Sequence, residues 1–246
     1  MPTALYEPIN VYKPIASGIG IVDGPIEHLV IAGVILPLPF TTRMTVVLLS
    51  NGELLLHSPI RFDRALADEL RGLGKIRHLV SPNQFHYAHI AEWARAFPDA
   101  ITWASPGVRR RACARRANVM FVRDLGDKPP EEWEPDLDQT LFPGGYFKEF
   151  LFFHRASSTL IVTDAIINIE LQKMPEPWRT ATKISRMHAP RGGLFFGMRL
   201  PWLLHRRKAA AVRATLRQWN PQRLLLSHGK CFESGADEAV RRLFGG

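Results

Sequence analysis

Apolar and polar residues follow two different periods along this chain of 246 residues, and the changes of period predict its elements. From Met44 the runs MTVVLL and ELLLHS flank Asn51-Gly52, a dipeptide typical of a two-residue β-hairpin. The next stretch, DRALADELRGLG, has apolar residues at helical spacing, which predicts a helix that begins at Asp63 and ends at Gly74. Further strands are predicted for IRHLVS, AITWAS, NVMFVRDL, FKEFLFFH, TLIVTD and RLLLSHG. Further helices are predicted for AHIAEWARAF, INIELQKM, WRTATKISRMH, LLHRRKAAAVRATLRQW and GADEAVRRLF.

The order of these elements predicts an α/β (α+β) fold of sheets with helices outside, because strand pairs come first and strand–helix alternation follows. Residues 1–43 are rich in Pro and Gly and show no sustained period. We therefore expect residues 1–43 to be an extended segment that packs on a main domain of residues 44–246. The basic stretch GVRRRACARRA is predicted to be a turn between two strands.

The net charge of +9 and the pI near 10.0 predict a basic surface, which favours phosphates, nucleic acid, anionic lipid or acidic metabolites. Much of the excess lies in RRRACARR and HRRK, and solvated faces are the default for such runs. Aromatic residues do not alternate with these arginines as single-strand binding needs, and no recognition-helix motif is present. Nucleic-acid binding is therefore a hypothesis based on charge alone.

The chain is expected to be cytoplasmic. Its N-terminus lacks the pattern of a signal peptide, and the apolar stretch LVIAGVILPLPF is too short to span a bilayer. The two cysteines, Cys113 and Cys231, are not in a C-x-x-C pair, which fits a reducing compartment. The segment GGLFFGMRLPWLLHRRK is compatible with contact with a membrane surface or with a second subunit. If the side chains of Phe195, Phe196, Leu200 and Trp202 are exposed in the folded protein, the segment is available for such a contact. If they are buried, the segment belongs to the core.

Four potential metal ligands follow apolar strands. His86 and His89 come after HLVS, Asp164 ends TLIVTD, and His228 ends LLLSH. Imidazole and carboxylate together suit Zn²⁺, Fe or Mn²⁺. Each residue also has a structural interpretation: the two histidines could pack on one helix face, Asp164 could cap a helix, and His228 could belong to a turn.

The order of a strand with a His cluster, then TLIVTD, then LLLSHG resembles the metallo-β-lactamase superfamily, from about Met44 to the C-terminus. SPNQFHYAHIAEW, FFHRASSTLIVTD and SHG resemble an uncharacterised bacterial family with this fold. The resemblance implies a four-layer αββα sandwich of two mixed β-sheets. The superfamily motif is H-x-H-x-D-H, followed by a separate His, a bridging Asp and a final His. These residues normally bind two metals that activate a water for hydrolysis.

The metal motif is thinned in this chain. When the superfamily motif is aligned on QFHYAH, Gln84 takes the place of the first His and His86 that of the second. Ala88 then takes the place of the Asp, and His89 that of the last His. The separate His would fall near Gly145 and is missing. Because these ligands are missing, a two-metal hydrolase is not expected, and Ala88 additionally removes a proton shuttle.

The alignment matches Asp164 with the bridging Asp and His228 with the final His. One half-site keeps His89, Asp164 and His228, whereas the other keeps His86 and a share of Asp164. Three protein ligands with an open position are typical of catalytic zinc, and two His with one carboxylate also hold non-haem iron. The resemblance thus implies at most one tightly bound Zn or Fe ion, with metal ligands at His86, His89, Asp164 and His228. Asp164 and His86 are the expected catalytic residues.

The implied function is a metal-dependent hydrolase that uses one metal-activated water. Its substrate would be a small, preferably anionic, ester, lactone, thioester or phosphoester. The alternatives are an inactive binding protein of the same fold, which the loss of ligands favours, and a basic nucleic-acid-binding protein. An oligomer is compatible with the sequence. His57 could support the ligands, Asn83 could orient a ligand or form an Asx turn, and His154 is expected at the surface.

Overall fold

A computed structural model describes residues 5–31 and 34–245. Its larger sheet has seven strands in the order of the chain, antiparallel from the first to the fourth and parallel from the fourth to the seventh. These strands are β1 (Tyr12–Ala16), β2 (Ile19–Ile31), β3 (Val34–Leu48), β4 (Glu53–His57), β5 (Lys75–Ser81), β6 (Ile101–Ala104) and β7 (Arg123–Asp124). The predicted hairpin of β3 and β4 across Asn51-Gly52 is confirmed, and Gly52 has the positive φ of +81° that favours glycine there.

The second sheet has four strands in the order β13-β10-β9-β8, with β10 and β13 parallel and the other pairs antiparallel. Its strands are β8 (Leu137–Phe142), β9 (Glu149–His154), β10 (Thr159–Val162) and β13 (Arg223–Leu226). A small antiparallel pair, β11 (Ile166–Ile167) and β12 (Gly193–Leu194), lies between β10 and β13 in the sequence. Both main sheets are therefore mixed, as predicted.

The helices are α1 (Arg64–Arg71), α2 (Ile90–Ala96), α3 (Val108–Ala114), α4 (Trp178–Ile184), α5 (Phe196–Leu204), α6 (Arg206–Trp219) and α7 (Ala236–Phe244). Short 3₁₀ turns cover Gly145–Phe147 and Leu171–Lys173. The predicted start of α1 is confirmed, because the Asp63 carboxylate accepts a hydrogen bond of 2.9 Å from the Leu66 amide. Among the described residues, no helix is both long and apolar enough to cross a membrane.

Three hydrophobic clusters define four layers. One lies between the two sheets and includes Trp103 of the larger sheet and Phe152 of the smaller one. A second packs the other face of the larger sheet against α1, α2 and α3, with Trp93 at its centre. The third packs the smaller sheet against α5, α6 and α7, around Phe142 and Trp202. The order helix, sheet, sheet, helix confirms the predicted αββα sandwich.

Some predicted elements take a different form in the structure, and one strand crosses the boundary expected at residue 43. Strand β3 runs across the boundary at residue 43, and β1 and β2 belong to the larger sheet, so the separation of residues 1–43 stays a prediction. The basic stretch predicted as a turn contains α3, because Val108 and Ala112 are buried on one face and the arginines lie on the other. Within INIELQKM, which is predicted as a helix, only Leu171–Lys173 form a 3₁₀ turn, because Ile166 and Ile167 pair with β12 and are buried.

Candidate metal centre

Asp164 and His228 are brought together by the parallel pairing of β10 and β13. Val162 lies opposite Leu226 at the ends of these strands. Asp164 and His228 each follow two residues later, so they leave the same edge of the sheet side by side. The chain beyond Asp164 forms β11 rather than a helix, so Asp164 is not a helix cap.

His86 reaches the same place from the other sheet. It lies in a turn between β5 and α2, and α2 begins only at Ile90. His86 and His89 therefore do not share a helix face, and their side chains diverge. The His86 ring points across the gap between the sheets towards Asp164.

Three donors converge at this edge. His86 Nε2 lies 3.3 Å from Asp164 Oδ2, and His228 Nε2 lies 3.2 Å from Asp164 Oδ1. One ligand atom from each residue falls within 4.8 Å of the others. The two imidazole rings are 5.3 Å apart between centroids. Two imidazoles and a carboxylate thus face one small volume.

The other nitrogen of each ring is held by the protein. His228 Nδ1 donates a hydrogen bond of 2.7 Å to the Thr41 carbonyl oxygen, and His86 Nδ1 contacts the Ser58 hydroxyl at 2.5 Å. A carbonyl can only accept, so the proton of a neutral His228 is on Nδ1 and a lone pair on Nε2 faces Asp164. Two acceptors 3.2 Å apart repel each other unless a proton or a cation lies between them. Metal-binding histidines are held in this way by a partner on the second nitrogen.

Asn83 connects the His86 turn with Asp164. Its side-chain amide donates to Asp164 Oδ2 at 2.7 Å and to the Thr163 hydroxyl at 3.0 Å. Its side-chain oxygen accepts from the amides of Phe85 and His86, at 2.8 and 3.1 Å. Asn83 therefore forms the expected Asx turn and also holds the Asp164 carboxylate, whereas its role in orienting a metal ligand stays a prediction.

A second carboxylate, Glu149, supports the loop from behind. It is fully buried and accepts backbone hydrogen bonds from Thr163, Asp164 and Ala165, at 2.7, 2.7 and 2.9 Å. Burial and the nearby charge of Asp164 raise the pKa of Glu149 to about 7. For Asp164, burial opposes ionisation, but the charge of His86 and the hydrogen bonds with His228 and His86 outweigh it and lower the pKa. Asp164 is therefore the ionised acid at the centre.

The loop of His228 is fixed by Arg43, which is buried. Arg43 Nη1 donates to the carbonyls of Leu226 and Gly229, at 2.6 and 2.7 Å, and contacts Cys231 Sγ at 3.3 Å. The other side of the guanidinium pairs with Asp23, whose Oδ1 lies 2.7 Å from Nη2 and 2.8 Å from Nε. The residues before and after His228 are thereby tied to β3.

His57 lies beneath the centre and is buried against Phe152, with ring centroids 5.1 Å apart. Neither of its ring nitrogens has a hydrogen-bond partner among the described residues. Burial, and next the charge of His86, lower the pKa of His57 to about 3. His57 is a neutral neighbour of the centre. Its expected role in supporting the ligands stays a prediction.

The fourth predicted ligand, His89, lies apart from the other three. Its ring nitrogens contact the carboxylates of Glu27 and Glu92, at 3.4 and 3.5 Å. The metal role of His89 stays a prediction, and the structure brings together only His86, Asp164 and His228.

The positions that lack a ligand of the superfamily motif have other contacts. The Gln84 side chain donates to the Tyr146 carbonyl, and Ala88 is exposed. Gly145 has φ +65°, and a Cβ there would lie 2.8 Å from Cγ of Pro201. A histidine at this position would thus be strained and would collide with α5.

Sequence reasoning missed Glu149, Arg43 and Ser58. The first two carried a signal, because each is a single charge at the start of, or within, an otherwise apolar strand. Ser58 carried none, and only the fold places it beside His86. The prediction that His154 is exposed is wrong: it is buried, and Nδ1 contacts the Ser157 hydroxyl at 2.7 Å.

The fold is similar to that of metallo-β-lactamases. The metallo-β-lactamase DIM-1, solved after exposure to ceftazidime, has a TM-score of 0.63 at 11% identity over 95% of each chain. FIM-1 from Pseudomonas aeruginosa, solved in its mono-zinc form, has a TM-score of 0.60 at 13% identity, over 95% of this chain and 94% of that one. Rubredoxin oxygen:oxidoreductase from the anaerobe Desulfovibrio gigas also has a TM-score of 0.60, at 12% identity, over 94% of this chain and 60% of that one. At such identities the likeness shows the fold alone.

The family is shown by the sequence itself. The model of the family described as "Domain of unknown function (DUF4336)" matches residues 31–191, well over half of the chain. The chain therefore belongs to the DUF4336 family, which the resemblance to an uncharacterised family of this fold predicted. No curated protein matches it at a significant level.

Proposed function

We propose that this chain is a metal-dependent hydrolase in which His86, Asp164 and His228 hold one Zn or Fe ion. One observation carries the proposal: two imidazole nitrogens and a carboxylate converge at 3.2 and 3.3 Å while both outer ring nitrogens are engaged by the protein. Three protein ligands leave a position open, as in catalytic zinc sites. The mono-zinc form of FIM-1, a protein of the same fold, is compatible with a single ion.

The donor set fits the ion chemically. With its proton on Nδ1, His228 offers a lone pair to the same volume that the Asp164 carboxylate faces. Asn83 donates to Asp164 Oδ2 and keeps the carboxylate in this orientation. A bound cation removes the repulsion between the acceptors and itself favours the ionised form of the carboxylate.

When bound, the metal would supply a Lewis acid and lower the pKa of a water at the open position. The protein supplies the rest. The Asp164 carboxylate lies at the centre and would act as the base that accepts the proton of an attacking water. The Ser58 hydroxyl holds the His86 ring, and His86 thereby keeps its position relative to Asp164. Neutral, buried His57 excludes water from the space beneath them.

An anionic ester, lactone, thioester or phosphoester suits the rim of the site. Arg111 lies over the Phe85 ring, with its guanidinium carbon 4.2 Å from the centroid, and donates to the Tyr146 hydroxyl at 2.9 Å. Phe85 directly precedes His86. A cation therefore contacts the residue that precedes His86, and such a positive charge favours a negatively charged substrate.

The second candidate is a binding protein that retains the fold and has lost catalysis. The observation that favours it is the engagement of Gln84 with the Tyr146 carbonyl, in a place where the superfamily motif has a ligand. Exposed Ala88 likewise lacks the motif's carboxylate.

Hydrolysis assays on metal-loaded protein separate the two candidates. Untagged protein with Zn²⁺ or Fe²⁺ would be tested on p-nitrophenyl esters, a lactone, a thioester and a phosphodiester. The hydrolase predicts turnover that Asp164→Asn abolishes and Asp68→Asn, a change at an exposed carboxylate, leaves intact. Unchanged turnover in Asp164→Asn would refute the assignment. Tight metal binding with no turnover of any ester would favour the binding protein.

A further inference from the structure

One helix at the edge of the fold presents apolar side chains to solvent. Phe196, Leu200, Leu203 and Leu204 of α5 have exposed fractions of 62, 63, 65 and 70%. Their spacing of four, three and one residues places them along one side of the helix. The opposite side, with Met198 and Trp202, is buried in the core. The exposed leucines are thus additional to the side chains that hold α5 in place.

The sequence alone did not decide whether this segment is buried in the core or available for contact with a partner. In the structure some of its residues are buried and others are exposed. Trp202 is buried and Phe195 is half-buried, so both serve the core. Phe196 and Leu200 remain exposed. Contiguous exposed apolar side chains on a water-soluble fold typically mark a contact site.

A cluster of positive charge adjoins these side chains. Arg206, Arg207 and Lys208 begin α6 directly after α5, and all three are exposed. No ion pair or hydrogen bond engages their side chains within residues 5–31 and 34–245. Residues 196–219 contain six basic and no acidic residues. The four apolar and three basic side chains together are here called the α5 surface.

The α5 surface is connected to the candidate metal centre by aromatic contacts. Phe196 packs on Phe195, Phe195 on Phe147, and Phe147 on Phe85, with ring centroids 4.5, 5.1 and 5.4 Å apart. Phe85 precedes the ligand candidate His86. A continuous series of aromatic contacts therefore joins Phe196 of the α5 surface to the residue next to His86.

We propose that the α5 surface docks on a lipid bilayer that contains anionic lipids. Apolar side chains beside Lys and Arg are typical of helices that lie in the plane of a membrane interface. The apolar residues would enter the boundary between headgroups and acyl chains, and the basic cluster would meet the negative headgroups. Nucleic acid would use the cations but leave the leucines exposed. A symmetric contact between two copies would bring the same cations together, which opposes it.

Vesicle flotation tests the docking. Full-length protein would be floated with vesicles of phosphatidylcholine alone and of phosphatidylcholine mixed with phosphatidylglycerol. We expect binding to the mixed vesicles only. Arg206→Gln with Arg207→Gln and Lys208→Gln should weaken it roughly a hundredfold, because each basic residue near an anionic surface contributes about fivefold. Leu200→Ser with Leu204→Ser should weaken it by roughly tenfold or more.

Matched variants separate the α5 surface from general charge and apolarity. Arg64→Gln, Arg71→Gln and Arg95→Gln remove the same net charge from α1 and α2, and Leu73→Ser with Ile184→Ser removes exposed apolar residues elsewhere. Both sets should bind vesicles as the wild type does. Equal losses in test and control variants, or no binding to anionic vesicles, would overturn the proposal. A wild-type dimer that Leu200→Ser with Leu204→Ser makes monomeric, without vesicle binding, would assign the surface to a second copy instead.

Discussion

Replacing Arg43 with methionine should destabilise the protein and weaken its metal binding together. Arg43 is 4% exposed, so its loss leaves the Asp23 carboxylate and two backbone carbonyls buried with fewer partners. Breaking a buried, hydrogen-bonded ion pair from one side costs about 3–5 kcal/mol. Lys13 still pairs with Asp23 at 2.9 Å, which places the expected loss near the lower end of that range.

The metal affinity should fall for a separate reason. Arg43 holds the carbonyls of Leu226 and Gly229, and His228 lies between them. Without Arg43 the loop can move, and the orientation of the imidazole changes. Partners of a metal ligand typically contribute about 10–100-fold to metal affinity, so a loss in that range is expected. Arg43→Lys keeps the charge but cannot reach Asp23 and both carbonyls at once, so it should lie between the wild type and Arg43→Met.

The assays are urea denaturation of the metal-free protein and competition with a chromophoric chelator for zinc. Arg155→Met is the control, since Arg155 pairs with Asp138 at 2.5 Å but is 43% exposed. Exposed ion pairs contribute about 1 kcal/mol or less, and this pair lies away from His228. If Arg43→Met costs no more than Arg155→Met, or if it lowers stability with unchanged zinc affinity, the positioning role of Arg43 is refuted.

Two further predictions concern the protonation of buried His57 and the N-terminal cap of α1. The depressed pKa of His57 means that its stabilising effect is present above its usual pKa of about 6.5 and is lost as the pH falls towards about 3. Between pH 7 and 5 the metal-free wild type should therefore lose about 2 kcal/mol more stability than His57→Leu, measured by urea denaturation at each pH; parallel curves would contradict this. Asp63→Ala removes the cap of α1 and should cost about 1 kcal/mol in thermal unfolding, whereas Asp63→Asn should cost much less; equal losses would argue against the cap.

Much of the fold could be predicted from the sequence because period and turn chemistry act locally. The β3–β4 hairpin across Asn51-Gly52 and the start of α1 at Asp63 depend on neighbouring residues only. The segment before residue 44 was harder to interpret. Its strands have register shifts between Pro14 and Ala16 and between Asp23 and Ile26, which interrupt the alternation that a strand prediction needs.

In the candidate site, too, some contacts could be predicted from the sequence and others could not. Asp164 and His228 could be predicted because parallel strands bring their carboxyl ends to one edge. The divergence of His86 and His89 could not, because it depends on where α2 begins, and the turn before α2 is held by Asn83. Arg43 lies 183 residues from the Leu226 carbonyl that it holds, so no local pattern connects them.

Metal content after extensive dialysis tests the central assignment most directly. Untagged protein and its His86→Ala, His89→Ala and His228→Ala variants would be loaded with zinc, dialysed and analysed by inductively coupled plasma mass spectrometry. We expect at most one tightly bound equivalent in the wild type, retained in His89→Ala and lost in His86→Ala and His228→Ala. Two equivalents in the wild type, loss of metal in His89→Ala but not in His86→Ala, or no metal under any loading condition would contradict it.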